Sequence, residues 1–325
     1  MTETTRPAKN RAKHTATPDN RTFQKAFLHP KYWGIWLGIG ILRLLGMLPY
    51  RAKFGVGKLL GKLLWMLAPK RKRLAQANIA LCFPDKSPSE QQAILKAHFE
   101  SLGLSLMEMA LVWWGDHKKN HAYAFERGIV RFIGENNLKE AQDKGKGVLI
   151  LAPHFTTLEL TGLFVSFLTN YHAVYRPHDN PLMDYLIAKG RSIQFSDGQT
   201  VQPVSNRNTR LMLKTLKSGG SMTFLPDQKY GDKGHVKVPF FNHLANSNPA
   251  TSKISKMTGC AVVPTFTRRL ENNQYEVEFL PALDNFPSGD DAADTIRLHQ
   301  LYEAEIKRNP SQYLWVHNRW SLKDY

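Results

Sequence analysis

From Gly147 onward, short apolar runs alternate with helical periods, and that alternation limits the folds open to this chain more than any other feature. Gly147–Ala152 (GVLILA), Ala173–Tyr175, Ser221–Leu225 and Ala261–Thr267 read as strands buried on both faces, as in a parallel sheet. Between them Leu158–Leu168, Leu182–Lys189, Asn208–Leu216 and Pro249–Met257 read as helices. Strands alternating with helices predict an α/β fold. Gln274–Leu280 reads as an antiparallel edge strand and Ala292–Lys307 as a late helix. Upstream, Ser87-Pro88-Ser89-Glu90 combines an N-cap, a proline at the first helical position and a capping-box glutamate. Leu95, Phe99, Leu102, Leu106, Met109 and Trp113 follow at helical spacing, predicting a long amphipathic helix. No internal repeat or Gly/Ser linker interrupts residues 74–325, which read as one domain.

Charge separates the N-terminal part from this domain. The chain of 325 residues carries a net charge of +17, and residues 1–73 hold 16 of its 44 Lys and Arg against Glu3 and Asp19 alone. The remainder is near neutral, which argues against nucleic acid as a partner, because such enzymes spread their bases over the functional domain. Residues 1–30 are polar and basic and read as a disordered tail. Residues 31–73 read as a membrane anchor. Within them Tyr32–Tyr50 has Arg43 as its one charge, and nineteen helical residues would reach about 28 Å, close to one bilayer core. Bases flank the run on both sides, so spanning and shallow insertion both stay open. Leu59–Ala68 suits an interfacial helix, and Lys70–Arg73 suits anionic headgroups. Two cysteines, Cys82 and Cys260, supply neither a disulfide framework nor a zinc cluster.

The familiar catalytic constellations are missing: no G-x-S-x-G elbow, no phosphate loop, no H-E-x-x-H. His117 and His121 lie in a polar run without a third ligand and read as a solvated loop. Gly55-Val56-Gly57 follows no strand and matches a dinucleotide fingerprint only superficially. One segment stands apart. The strand ending at Pro153 delivers His154 to the C-terminal edge of the sheet, where open α/β folds hold their ligands. Five residues turn an ideal helix to leave His154 and Glu159 about 140° apart. They meet only if His154 lies in the loop and Glu159 in the first helical turn. Thr156 and Glu159 have capping-box spacing, so Glu159 either serves His154 or caps the helix.

Further segments extend the pattern. His154 with Glu159 resembles the H-x4-D/E signature of the glycerolipid acyltransferase superfamily. Val174-Tyr175-Arg176-Pro177, followed by His178 to Leu182, resembles the second block of its lipid A branch, and Gly190-Arg191 follows. Phe224-Leu225-Pro226-Asp227-Gln228, Val262-Val263-Pro264 and the closing stretch from Gln312 to Trp320 resemble later blocks. By these five blocks in order, over about residues 30–322, the chain is identified as similar to the late lipid A acyltransferases.

That resemblance implies a glycerol-3-phosphate-acyltransferase-like single domain, a mixed sheet flanked by helices, with an N-terminal membrane-anchoring helix. It implies transfer of a fatty acyl group from acyl carrier protein to a hydroxyl on an acyl chain of a lipid A precursor. No cofactor or metal is expected beyond that thioester co-substrate, and the setting would be the cytoplasmic face of a bacterial inner membrane. His154 would act as general base, with Glu159 fixing its tautomer. Arg176 and Arg191 suit acceptor phosphates, with a structural ion pair as the alternative. Asp227, beside Gln228 in the same substrate-binding block, either orients an arginine or a sugar hydroxyl or caps a turn. A twelve-carbon donor is expected first and a fourteen-carbon donor next. The rival readings are glycerophospholipid acylation and a non-catalytic, basic lipid-binding protein.

Overall fold

A computed structural model describes residues 22–194, 200–231 and 233–323. Most of the basic tail lies outside the described residues, but its last part does not. Residues Lys25–Leu28 and Pro30–Tyr32 form 3-10 turns, and Phe27 is buried against Tyr185. Disorder does not extend to residue 30.

Four helices follow: α1 (Trp33–Gly46), α2 (Tyr50–Leu67), α3 (Pro69–Cys82) and α4 (Pro88–Trp114). The apolar run is therefore not one helix of nineteen residues. It stops at Gly46, and Pro49 precedes the next helix, so α1 reaches about 21 Å. Among the described residues, no helix is long and apolar enough to cross a membrane. The α4 start forms as its sequence dictates: Ser87 Oγ accepts from the Glu90 amide at 3.3 Å, and Glu90 accepts from the Ser87 amide at 2.8 Å. Helices α2 and α4 cross with their backbones in contact. A side chain at Gly103 would strike the main chain of Gly57 and Gly61, so Gly57 serves helix packing while Gly55 faces open space.

After α5 (His117–Glu126) come β1 (Val130–Ile133), α6 (Glu135–Asp143), β2 (Val148–Leu151), α7 (Leu158–Val165), β3 (Tyr171–Tyr175) and α8 (Pro181–Gly190). Short strands β4 (Ile193–Gln194), β5 (Thr200–Val201) and β6 (Val204–Ser205) precede α9 (Thr209–Lys217) and β7 (Ser221–Phe224). A hairpin of β8 (Val236–Phe240) and β9 (His243–Ser247), then α10 (Ala250–Thr258), β10 (Ala261–Arg269), β11 (Tyr275–Phe279) and α11 (Asp291–Arg308) complete the elements. The expected α/β alternation is present. His117 and His121 belong to a capped helix rather than a solvated loop. Asp116 caps it, and His121 packs on Phe125 and Phe167.

Seven of the described strands make one sheet in the order β1-β11-β10-β2-β7-β3-β6, parallel throughout except between β10 and β11. The antiparallel strand β11 is not an edge, because β1 covers it. Val-Arg-Phe-Ile is too short and too mixed for β1 to announce itself. Central strand β2 shows why its sequence is continuously apolar. Leu149 and Leu151 face one core layer, Val148 and Ile150 the other, and all four are buried.

Candidate active site

Strands β2 and β7 are adjacent, parallel and in register, with Leu151 opposite Phe224. Each is followed by one apolar residue, a proline and a polar residue: Ala152-Pro153-His154 and Leu225-Pro226-Asp227. Proline offers no amide to the ladder, so both chains leave the sheet at the same level. Residues three past matched strand ends thus arrive side by side. Asp227 Oδ1 lies 2.6 Å from His154 Nδ1, and Asp227 Oδ2 accepts the His154 amide at 3.0 Å. Asp227 is fully buried while His154 keeps part of its ring open to the cavity. Burial opposes ionisation of Asp227, but the His154 ring and amide outweigh it and hold the carboxyl below the usual range. An ionised carboxylate only accepts, so Nδ1 carries the proton and Nε2 presents a lone pair.

The C-terminal stretch holds this pair in place. Leu314 donates its amide to the His154 carbonyl at 3.0 Å, and the Thr156 amide donates to Gln312 at 2.7 Å. Tyr313 faces Asp227 with its hydroxyl. His317 Nε2 accepts the Lys229 amide at 3.2 Å, and burial together with nearby His154 pushes that imidazole down to about 4. Arg319 is fully buried. It donates to the Asn246 carbonyl and to Ser247 Oγ, and its guanidinium lies 5.4 Å from the centre of the Phe240 ring. Among the described residues no carboxylate lies within ion-pair distance of it, and its electrostatic partners are Tyr313 and Asp227. The Trp residues divide: Trp315 is core, Trp320 stacks on Phe240, and Trp113 reaches the site.

Glu159 is not the histidine's partner in this structure. It sits in the first turn of α7, as expected, but its carboxylate forms an ion pair with Arg191 and accepts the Trp113 indole N–H at 3.1 Å. Burial opposes its charge, and Arg191 overcomes that to keep it ionised. Nor does a capping box form, since Thr156 Oγ1 bonds Ser101 Oγ at 2.6 Å and the N-cap residue Thr157 donates its hydroxyl to the Thr267 carbonyl. Arg191 is thereby committed to the ion pair that was the alternative to phosphate binding. Arg176 is largely exposed and touches Asp179 at 3.1 Å. It lies with Gln228 on the wall of a cavity of about 800 Å3 that also contains His154, Glu159 and Arg191. The x-Pro-polar endings of β2 and β7 are the one sequence signal that His154 and Asp227 share, but pairing them requires the sheet order, and the compact His154–Glu159 spacing pointed elsewhere.

A strand-end histidine oriented by a buried carboxylate, open to a large half-apolar chamber, can take a proton from a hydroxyl. No cluster of metal-ligating side chains occurs among the described residues. Residues 20–322 match the family described as bacterial lipid A biosynthesis acyltransferase. The chain is 33% identical over 307 residues to the lipid A biosynthesis lauroyltransferase of Escherichia coli (strain K12), covering 93% of this chain and 95% of that one. It is 32% identical over 305 residues to the palmitoleoyltransferase of the same strain, with the same coverage. It is 26% identical over 302 residues to the myristoyltransferase, covering 90% and 88%.

Proposed function

The chain belongs to the bacterial lipid A biosynthesis acyltransferase family and is an acyltransferase, and from that premise we propose that it moves an acyl chain from acyl carrier protein to a hydroxyl of a lipid A precursor. The observation that carries this reading is the His154–Asp227 pair at the mouth of the large chamber. Nε2 of His154 takes the acceptor hydroxyl proton as the oxygen attacks the thioester carbonyl. The tetrahedral intermediate collapses, the C–S bond breaks, and the proton returns from His154 to the carrier thiolate. An ester and a free thiol are the products, and no acyl-enzyme forms. Asp227 fixes the tautomer and stabilises the transient imidazolium. Glu159 and Arg191 shape the chamber wall as an ion pair. The donor is a twelve-carbon chain, a reading supported by the likeness to the lauroyltransferase, with a fourteen-carbon chain as the second expectation.

The same reading covers membrane attachment. Trp33, Leu37, Ile41, Leu44 and Met47 form an exposed apolar stripe along α1, and Leu59, Leu63, Met66 and Leu67 continue it on α2. Bases at Lys58, Lys62 and Lys70–Arg73 flank it. Such helices lie in the interface of one leaflet, the cytoplasmic leaflet of the inner membrane, where donor and acceptor meet. The deciding experiment incubates purified protein with lipid A precursor and a panel of acyl carrier protein thioesters, read by mass spectrometry. One acyl chain added to the precursor, absent with His154→Ala, is the expected result. Transfer to a glycerophospholipid instead, or none at all, would overturn the assignment.

A further inference from the structure

A second crevice, of about 500 Å3, lies behind the active chamber, between α1, α8 and the end of α4. That volume falls in the range of small-ligand sites, ~300–1,000 Å3. Its wall is aromatic, with Trp36, Trp113, Trp114 and Tyr185, and it includes two cations, Arg43 and Lys189. No carboxylate lines it, and neither cation has an ion-pair partner among the described residues. Both are exposed, although Lys189 also lies 5.8 Å from the Tyr185 ring centre. On α1 the row Trp36, Ile39, Gly40 and Arg43 runs at three- and four-residue spacing, directly beside the exposed stripe of Leu37, Ile41 and Leu44. A ligand in this crevice therefore has apolar surface beside it for hydrocarbon chains.

The crevice is joined to the chamber through a single ring. Trp113 lines the crevice with one part of its indole and donates through Nε1 to Glu159 on the chamber wall. Any side chain at Gly190 would strike that ring, so the glycine is what lets α8 close against it. The next residue, Arg191, completes the ion pair with Glu159. We infer that this crevice holds the phosphorylated sugar headgroup of the lipid acceptor, with Arg43 and Lys189 on its phosphate and the indole faces against its sugar. The inference rests on the acyltransferase reading above and supplies the phosphate contacts that Arg191, engaged with Glu159, does not. Charge complementarity selects the occupant: two cations over aromatic walls fit an anionic headgroup whose sugar lays its C–H face on an indole.

The test measures steady-state kinetics of the full chain in detergent with the double variant Arg43→Gln, Lys189→Gln. KM for the phosphorylated acceptor should rise about tenfold or more for each cation lost, the size of a charge-assisted hydrogen bond. KM for the acyl donor should hold, and a dephosphorylated acceptor should lose nothing further in the variant. The charge-preserving Arg43→Lys should stay near wild type. Binding of the phosphorylated acceptor to a His154→Ala background, measured without turnover, should weaken by the same factor when both cations are removed. Equal losses on phosphorylated and dephosphorylated acceptors, or no loss on either, would overturn the inference. So would phosphatidylglycerol vesicles that lose affinity as steeply as the acceptor does, since the crevice would then bind any anionic lipid. A wild-type protein that acylates no lipid would instead fail the functional reading, and the two failures look different.

Discussion

Asp227 carries the sharpest test at the level of single residues. If it orients His154, Asp227→Asn should lower kcat by on the order of 10^3–10^4-fold, because the amide lets the imidazole take the wrong tautomer. A thermal melt run beside the assay should show the fold intact. Glu159 should behave otherwise. Glu159→Gln leaves the half-buried Arg191 guanidinium without its counter-charge, so unfolding free energy should fall, by less than the ~3–5 kcal/mol of a fully buried pair, and the melting point with it. Pairing it with Arg191→Met should recover most of that stability. A Glu159→Gln protein that melts normally but is catalytically dead would return Glu159 to the reaction itself. Arg319, buried without a carboxylate, supplies positive charge behind Asp227. Arg319→Met should raise the proton affinity of Asp227, which loses a nearby positive charge, and move the acid limb of kcat/KM toward higher pH. Arg319→Lys should restore part of the original profile.

Elements explain which of these roles the sequence displays. His154 was legible because a buried strand, a proline and a histidine announce a sheet edge within six residues. Its partner was not, since Asp227 comes from another strand and only the sheet order β2–β7 makes the two neighbours. Spacing along the chain favoured Glu159, yet a loop followed by a first helical turn leaves the direction of that side chain open, and α8 draws it toward Arg191. The anchor was read less closely. Hydropathy over Tyr32–Tyr50 left a span and a shallow insertion both open, although Leu48-Pro49 marks a helix boundary visible in the sequence. What remains is a short helix with no buried residue of its own, and it carries a prediction. Leu37→Glu with Leu44→Glu should lower partition onto vesicles by on the order of 10^2–10^4-fold, at ~1.5–3 kcal/mol per leucine, without shifting the melting point. High salt alone should leave the wild type bound. If salt released it, the basic clusters and not the apolar stripe would hold the membrane.

Across the whole molecule, two buried histidines and a half-buried one join the N-terminal helices, the hairpin and the C-terminal stretch. His98 on α4 bonds the Ser311 carbonyl at 3.1 Å, His299 on α11 bonds the Pro239 carbonyl at 2.7 Å, and His317 accepts the Lys229 amide. Burial lowers each to about 4, against about 6.5 in an unfolded chain. The sign follows from proton counts. Between about 6.5 and 4 the unfolded chain binds protons at these sites and the folded chain does not, so stability falls as pH falls. Asp227 and Glu159 act in the same direction at lower pH, because both carboxyls are held below their ordinary range in the folded state. Melting temperature should therefore be level above about pH 7 and decline through the 6.5–4 window, with a slope near three protons, each worth ~1.4 kcal/mol per pH unit. His98 shows what one site contributes. It is buried in the joint between α4 and the C-terminal stretch, where its second ring nitrogen has no hydrogen-bond partner among the described residues. His98→Gln should lower stability at pH 7.5 yet flatten the acid decline by about one proton. An unchanged slope would mean that His98 is already protonated in the folded protein, and that the joint tolerates a buried charge.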